Sequence, residues 1–116
     1  MESRIRLALE FTQAHCAEHL TVSLVAAQVG LSRSRFEHLF RAETGRRFKP
    51  ALRQVRLSES QSLLARSELR IKEIAYRVGF RSAWAFSRAF RKVYGQPASQ
   101  WRRRHSQVGI ARLDNT

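Results

Sequence analysis

Residues 71–95, IKEIAYRVGFRSAWAFSRAFRKVYG, carry the pattern that decides the fold. Their first part repeats apolar residues at the spacing of a helix that packs on one face, namely Ile71, Ile74, Ala75 and Val78. Gly79 suits the positive φ at which such a helix ends, and Ser82 is a good N-cap for a following helix. These signals predict two short helices that meet at a tight corner.

The second of these predicted helices has an apolar side and a basic side. Its packing side contains Phe86, Ala89, Phe90 and Val93. Its outer side contains Ala83, Trp84, Ser87, Arg88 and Arg91. The pair of helices therefore has the pattern of a helix-turn-helix, and its outer face suits the major groove of DNA.

The same pattern occurs earlier in the chain, which indicates an internal repeat. Val22, Val25, Ala26, Val29 and Gly30 match Ile71, Ile74, Ala75, Val78 and Gly79. After the turn the register shifts by one residue, and Ser32, Phe36, Phe40 and Gly45 match Ser82, Phe86, Phe90 and Gly95. We therefore predict two helix-turn-helix units, the second with a turn one residue longer.

Three further helices complete the predicted fold. A first helix over about residues 3–19 has an inner side formed by Ile5, Ala8, Leu9, Thr12, Cys16 and Leu20. A connecting helix follows Phe48, and a short last helix starts near Pro97 with Trp101 as its apolar anchor. The prediction is an all-α chain of about seven helices: a first subdomain at 1–47, a linker helix at 48–66, a second subdomain at 67–104 and a flexible tail at 105–116.

The charge of the chain points to a polyanionic partner. Its 116 residues contain 22 Lys and Arg against 9 Asp and Glu, a net charge of +13. This excess is larger than solubility requires, and a nucleic acid is the simplest partner that explains it.

Other features exclude several classes of protein. A single cysteine, Cys16, rules out an internal disulfide and fits a reducing compartment. The sequence lacks an apolar stretch of about 18 residues and a signal-peptide pattern, so we expect a cytoplasmic protein without membrane contact.

Catalytic and metal-binding patterns are weak. His15, Cys16 and His19 could share one helix but lack a fourth ligand, so we predict no metal site. Asp114 is the sole aspartate, and neither a Gly-rich phosphate loop nor a CxxC pair occurs. We therefore predict neither enzymatic activity nor a cofactor.

Several runs fall in the order and spacing of a known family. These are IKEIAYRVGF, FSRAFRKVYG, the following Pro-Ala-Ser-Gln-Trp-Arg segment, and the earlier LVAAQVGLSRSRFEHLFRAETG. With them, residues 9–104 resemble the DNA-binding region of AraC/XylS-type transcriptional regulators. The resemblance implies two helix-turn-helix subdomains on a linker helix, with both recognition helices in successive major grooves of double-stranded DNA.

The resemblance also implies a role in transcription. Family members commonly act as activators that contact RNA polymerase, and many carry a separate effector-binding or dimerisation domain. We see no such domain in this sequence and expect either an excised C-terminal region or a short, free-standing activator. Two recognition helices in one chain predict a monomer on DNA, unless an absent N-terminal domain dimerises.

Carried over position by position, the resemblance gives a set of base contacts, and other basic residues are candidates for contacts to the DNA backbone. Base contacts fall on Arg33, Ser34, Glu37 and His38 in the first unit, and on Ala83, Trp84, Ser87 and Arg88 in the second. Backbone contacts are expected from Arg35, Arg46, Arg47, Lys49, Arg81, Arg91, Arg102 and Arg103.

Three of these positions have an alternative interpretation. Glu37 either accepts a hydrogen bond from cytosine N4 or pairs with Arg33 or Arg41 on its own helix. Trp84 either covers a thymine methyl group or folds back on the turn. His38 binds DNA or is simply exposed.

Two departures from the family pattern concern helix ends and packing. Arg70 stands where the family usually has a Ser or Thr cap, so Glu73 is expected to lack a capping-box partner. Ser60 stands where a small apolar residue is usual.

Two other functions remain open from the sequence. One is a non-specific architectural nucleic-acid binder that uses charge alone. The other is a protein-interaction module for an acidic partner.

Overall fold

The computed structural model describes residues 1–108, and within them all regular structure is helical. The seven helices are α1 (Ser3–Ala14), α2 (Val22–Gln28), α3 (Arg33–Thr44), α4 (Phe48–Arg66), α5 (Ile71–Arg77), α6 (Ala83–Tyr94) and α7 (Ala98–His105). The predicted all-α fold of seven helices is confirmed. Most of the predicted tail, residues 109–116, lies outside the described residues.

The chain divides into two compact units, and the division falls within α4 after Val55. Each unit has its own apolar core, and α4 contributes residues to both. Pro50 lies in the first turn of α4. N–H groups in the first turn have no acceptor within the helix, so a proline there costs no hydrogen bond.

The core of the first unit is built around three phenylalanines. The ring centroids of Phe36 and Phe40 lie 5.4 Å apart, and Phe48 packs edge-on against them at 5.9 and 5.7 Å. Ile5 of α1 and Val25 of α2 are fully buried against this group. Phe48 is the first residue of α4, so the start of α4 belongs to this core.

The core of the second unit repeats this arrangement. Phe86 and Phe90 of α6 are fully buried with ring centroids 5.7 Å apart. Leu57 and Leu64 of α4 are also fully buried in this cluster. Trp101 of α7 packs edge-on against Phe90 at 6.2 Å, as the anchor role predicted for it requires.

Matching hydrogen bonds close both helix-turn-helix corners. The N–H of Leu31 donates to the carbonyl of Ala26 at 2.9 Å, and the N–H of Phe80 donates to Ala75 at 2.9 Å. The glycine before each donor has a positive φ, 73° in the first unit and 106° in the second. This is the Schellman ending of a helix, and its occurrence in both units supports the repeat read from the sequence.

The first helix is shorter than predicted. α1 ends at Ala14 instead of continuing to residue 19, and a turn follows in which the N–H of Glu18 donates to the carbonyl of His15. This turn still carries Cys16 and Leu20 into the core. The apolar spacing of these residues was therefore correctly read as burial but wrongly read as continuous helix.

Val93 does not pack as predicted. Its side chain is 48% exposed, whereas Tyr94 is partly buried with its ring 4.6 Å from that of Phe90. Tyr94 lies four residues after Phe90 and offers a larger apolar surface, so the packing stripe of α6 turns toward it.

The start of α5 is partly capped after all. Glu73 accepts a hydrogen bond from the backbone N–H of Arg70 at 3.3 Å, and the two side chains form an ion pair at 3.4 Å. As expected, Arg70 supplies no side-chain hydrogen bond at the cap. Arginine has no side-chain acceptor, so only half of a capping box forms.

Ser60 is fully buried in α4 without an unpaired hydroxyl. Its Oγ donates to the carbonyl of Leu57 at 2.6 Å. A buried serine is tolerated here because its own helix supplies the acceptor.

Candidate nucleic-acid interface

The packing of α3 decides which of its residues face solvent. Ser32 caps the helix by accepting from the N–H of Arg35 at 3.2 Å, and Phe36 and Phe40 turn into the core. The opposite face of the N-terminal half is exposed and carries the four predicted base contacts, Arg33, Ser34, Glu37 and His38.

Two of these four residues form an ion pair. The Nε of Arg33 donates to Oε1 of Glu37 at 3.0 Å, one helical turn away. Of the two interpretations of Glu37, the structure contains the intrahelical pair. Because both side chains are about half exposed or more, the pair is a weak one that a DNA contact can replace.

A cationic groove of about 1080 Å³ lies beside this face. Its walls include the outer face of α3 and the first turns of α4, and its cations are Arg33, Arg41, Arg47, Lys49 and Arg53. The groove therefore places backbone-contact candidates beside the predicted base contacts. Such an arrangement fits a phosphodiester strand next to a reading helix.

Two of the groove's cations were missed among the sequence candidates. Arg53 follows Lys49 by four residues on α4, so the two side chains share one helix face. Arg41 follows Glu37 by four residues on α3, so it lies on the same helix face as a predicted base contact. Arg35 and Arg46 lie outside this groove, and Arg46 donates to the carbonyl of Pro50 at 3.4 Å.

The outer face of α6 is exposed in a similar way. Ser82 caps the helix by accepting from the N–H of Ala85 at 3.0 Å, while Phe86 and Phe90 are buried. Trp84, Ser87, Arg88 and Arg91 are exposed on the other side, as is Arg81 in the turn. Ala83 differs from the expectation, because it is half-buried and packs against the core of the unit.

Trp84 stands out on this face. Its side chain is 69% exposed, although an indole of this size is normally covered by protein. This exposure does not fit the predicted alternative of a side chain folded back on the turn, where Phe80 packs on Phe86 at 5.4 Å. The guanidinium carbon of Arg88 lies 5.2 Å from the indole centroid, within the range of a cation–π contact.

Arg102 differs from the other predicted backbone contacts. Its guanidinium donates to the carbonyl oxygens of Leu64 at 3.1 Å and Ser67 at 3.4 Å. Partial burial lowers the pKa of this arginine below its ordinary value. Arg103 is exposed and remains available for a phosphate.

The residues considered for a metal have other neighbours. His15 stacks on Phe11 with centroids 4.4 Å apart and pairs through Nδ1 with Glu18. Across residues 1–108, no three His, Cys, Asp or Glu side chains gather as a metal site needs. None of the helices described here has the length and apolarity to cross a membrane.

Comparison with known sequences gives relatives that regulate operons. A 35% identity over 103 residues relates the chain to the arabinose operon regulatory protein of Salmonella typhimurium, covering 88% of this chain and 37% of that protein. The Msm operon regulatory protein of Streptococcus mutans is 39% identical over 84 residues, covering 72% of this chain and 30% of that protein. The chain thus spans roughly a third of the length of these two relatives.

Solved structures share the fold. The C-terminal domain of AraT, a response regulator from Geobacillus stearothermophilus, superposes with a TM-score of 0.83 at 33% identity, covering 89% of this chain and 86% of that one. The DNA-binding domain of AdpA, solved with a target DNA, gives a TM-score of 0.80 at 31% identity and covers 84% and 88%. A family model described as a helix-turn-helix domain matches residues 25–104. Because this match runs from within α2 to the end of the second helix-turn-helix unit, the chain belongs to the AraC-type family of helix-turn-helix transcriptional regulators.

Proposed function

We propose that this chain binds double-stranded DNA at a specific sequence, with the N-terminal halves of α3 and α6 in successive major grooves. The observation that carries this proposal is the outer face of α6, where an exposed indole and an arginine stand together on a helix whose other side is fully packed. A reading helix needs this combination of a rigid packed side and an exposed chemically distinctive side.

The relatives support the proposal. The AdpA domain was solved in complex with a target DNA, and the operon regulators named above act in gene regulation by their names. Because the chain spans only part of those proteins, the regulatory role of a whole protein is itself part of our proposal.

The charged groove of the first unit supplies a sequence-independent contribution. Arg41, Arg47, Lys49 and Arg53 line it. Neutralising phosphates with these cations releases counterions and makes binding strongly salt-dependent. We propose that this groove holds a DNA strand while α3 reads the adjacent bases.

Further elements of the proposal come from the family resemblance. We infer a transcription activator that contacts RNA polymerase and works in the cytoplasm, and one relative, from Staphylococcus xylosus, is named a lactose operon transcription activator. We also infer that one chain binds one site, because it contains two reading helices. In this view residues 1–47 and 67–104 are the DNA-binding subdomains and 48–66 the linker.

Selection from random duplexes tests this function. We expect enrichment of an asymmetric site of about 20 bp, since two major grooves one turn apart are read by different residues. Recovery of a palindrome bound by two chains would contradict the monomeric mode. Enrichment of no motif would favour the non-specific architectural binder and overturn the proposal.

Substitution of Arg88 separates the two DNA-binding functions further. If α6 reads bases, Arg88→Ala should weaken binding to the selected site by about 1–3 kcal/mol and change non-specific binding much less. Equal weakening on all duplexes would favour binding by charge alone. Arg77→Ala, which removes an exposed cation from α5, is the charge-matched control.

A further inference from the structure

We propose that Trp84 and Arg88 read DNA as one unit: the indole holds the guanidinium toward a guanine and covers the methyl group of a neighbouring thymine. This inference rests on the proposed function and assigns chemistry to two positions of α6. Its starting point is the 5.2 Å approach of the Arg88 guanidinium to the centroid of an indole that is 69% exposed.

The first argument concerns the freedom of Arg88. A long exposed side chain on a helix samples many rotamers, and ordering it on binding reduces affinity. The contact with Trp84, one turn earlier on the same face, restricts that freedom before DNA arrives. A guanine then meets an arginine whose guanidinium is already held beside the indole on the reading face.

The second argument concerns the donors of Arg88. An ion pair would occupy its N–H groups with carboxylate oxygens, but the ion pairs found among the described residues do not include Arg88. An aromatic face attracts the cation through the quadrupole of the ring. This contact does not require the N–H groups of the guanidinium to donate to an acceptor. The fork of N–H donors thus stays available for the O6 and N7 acceptors of guanine.

The first unit shows the contrast. There one of the exposed arginines of the reading helix, Arg33, donates to Glu37 at 3.0 Å. The residues that correspond to Trp84 and Arg88 by the repeat are Ser34 and His38. The two reading helices therefore present different chemistry, and the arginine–aromatic pair is specific to the second.

The remaining indole surface suits a methyl group. Trp84 contacts Arg88 over part of its ring and leaves most of its apolar surface in solvent. The thymine C5-methyl is the sole apolar group that an unmodified base pair presents in the major groove. A thymine beside the guanine read by Arg88 would cover this surface and remove it from water.

The test uses single-atom changes in the selected duplex. Replacing the guanine by 7-deazaguanine removes the N7 acceptor, and replacing the thymine by uracil removes the methyl group. We expect the wild-type chain to bind both substituted duplexes more weakly. Trp84→Leu should lose about two- to fivefold of the preference for guanine over 7-deazaguanine, the size of an exposed cation–π contact. Trp84→Phe, which keeps an aromatic face, should retain most of it.

A measurement without DNA checks the contact itself. The Nε–H resonance of Arg88 should show a ring-current shift in the wild type and in Trp84→Phe, and should lose it in Trp84→Leu. Tyr76→Leu removes another exposed aromatic, on α5, and should change neither the resonance nor the base preferences.

The outcomes distinguish this inference from the proposed function. If the wild type selects a motif but Trp84→Leu keeps its full preference for guanine and for thymine, the paired reading is wrong and the proposed function stands. If the wild type selects no motif at all, the proposed function itself fails.

Discussion

The guanidinium of Arg102 in α7 donates to the carbonyl oxygen of Leu64 in α4, across 38 positions of sequence. The last carbonyls of a helix have no partner within it and require donors from elsewhere. Arg102 supplies two, one to Leu64 and one to Ser67 just beyond the end of the helix. Its partial burial fits a cation that belongs to the structure of the second unit.

Arg102→Met should therefore destabilise the second unit by about 1–3 kcal/mol, because the apolar stem is kept while two carbonyl acceptors lose a charged donor. Urea unfolding followed by circular dichroism measures this. Arg103→Met, which changes an exposed neighbour, should stay within about 0.5 kcal/mol of the wild type. Equal stabilities of the two variants would show that the contacts of Arg102 contribute nothing.

The fold could be predicted from the sequence because each repeat contains the residues that end one helix and begin the next. Gly30 and Gly79 end a helix in the same hydrogen-bond pattern, and Ser32 and Ser82 begin the next one. Apolar spacing located most of the buried residues, although not at Val93, and could not separate helix from turn near His15. Cys16 is buried in the turn after α1, and it would be buried equally in a continued helix, so its apolar spacing is the same in both cases.

The candidate site was less predictable, since it depends on long side chains whose partners lie outside the local sequence. Arg102 and Arg103 are adjacent arginines that the sequence does not distinguish. The fold shows that Arg102 binds the end of α4. Arg53 was missed because it becomes a candidate only through its position in the groove that α3 and α4 form together. Trp84 was recognised because an apolar residue on a polar face contradicts the local pattern.

The Arg33–Glu37 pair gives a second prediction. Glu37→Gln removes a negative charge from the proposed DNA-binding face and frees Arg33 for a phosphate or a base. Binding to non-specific duplex should strengthen by about two- to fivefold at low salt, which matches the strength of an exposed ion pair. Fluorescence anisotropy measures this, with Glu10→Gln on the exposed side of α1 as the control.

The outcome on the selected site has its own meaning. Glutamine keeps an acceptor oxygen, so Glu37→Leu, which removes the acceptor as well as the charge, makes this comparison. If Glu37→Leu weakens binding to the selected site but not to other duplexes, Glu37 accepts from a base such as cytosine and the pair with Arg33 opens on binding. If it strengthens binding to both, the pair only reduces the charge of the reading face.

The groove predicts a change in salt dependence. Arg53→Ala should lower the magnitude of the slope of log K against log salt by about one, because one phosphate contact is lost, and should do so on all sequences. Arg6→Ala removes an exposed cation from α1, away from the groove, and should leave the slope unchanged. If both variants alter the slope equally, overall charge and not the groove determines the affinity.

The N-caps of the reading helices link stability to recognition. Ser32 and Ser82 each accept from the N–H three residues ahead, and the first helical turn that each one caps carries proposed DNA contacts. Replacing either serine by alanine should destabilise its unit by about 1 kcal/mol, whereas glycine should cost a few tenths, because glycine reaches cap geometry without strain. Ser23→Ala, which changes an exposed serine inside α2, is the control and should have little effect.

Ser82→Ala should also weaken binding to the selected site more than binding to non-specific duplex, since fraying of the first turn of α6 displaces Trp84. Weakening of both duplexes to the same extent would mean that the first turn of α6 takes no part in base recognition.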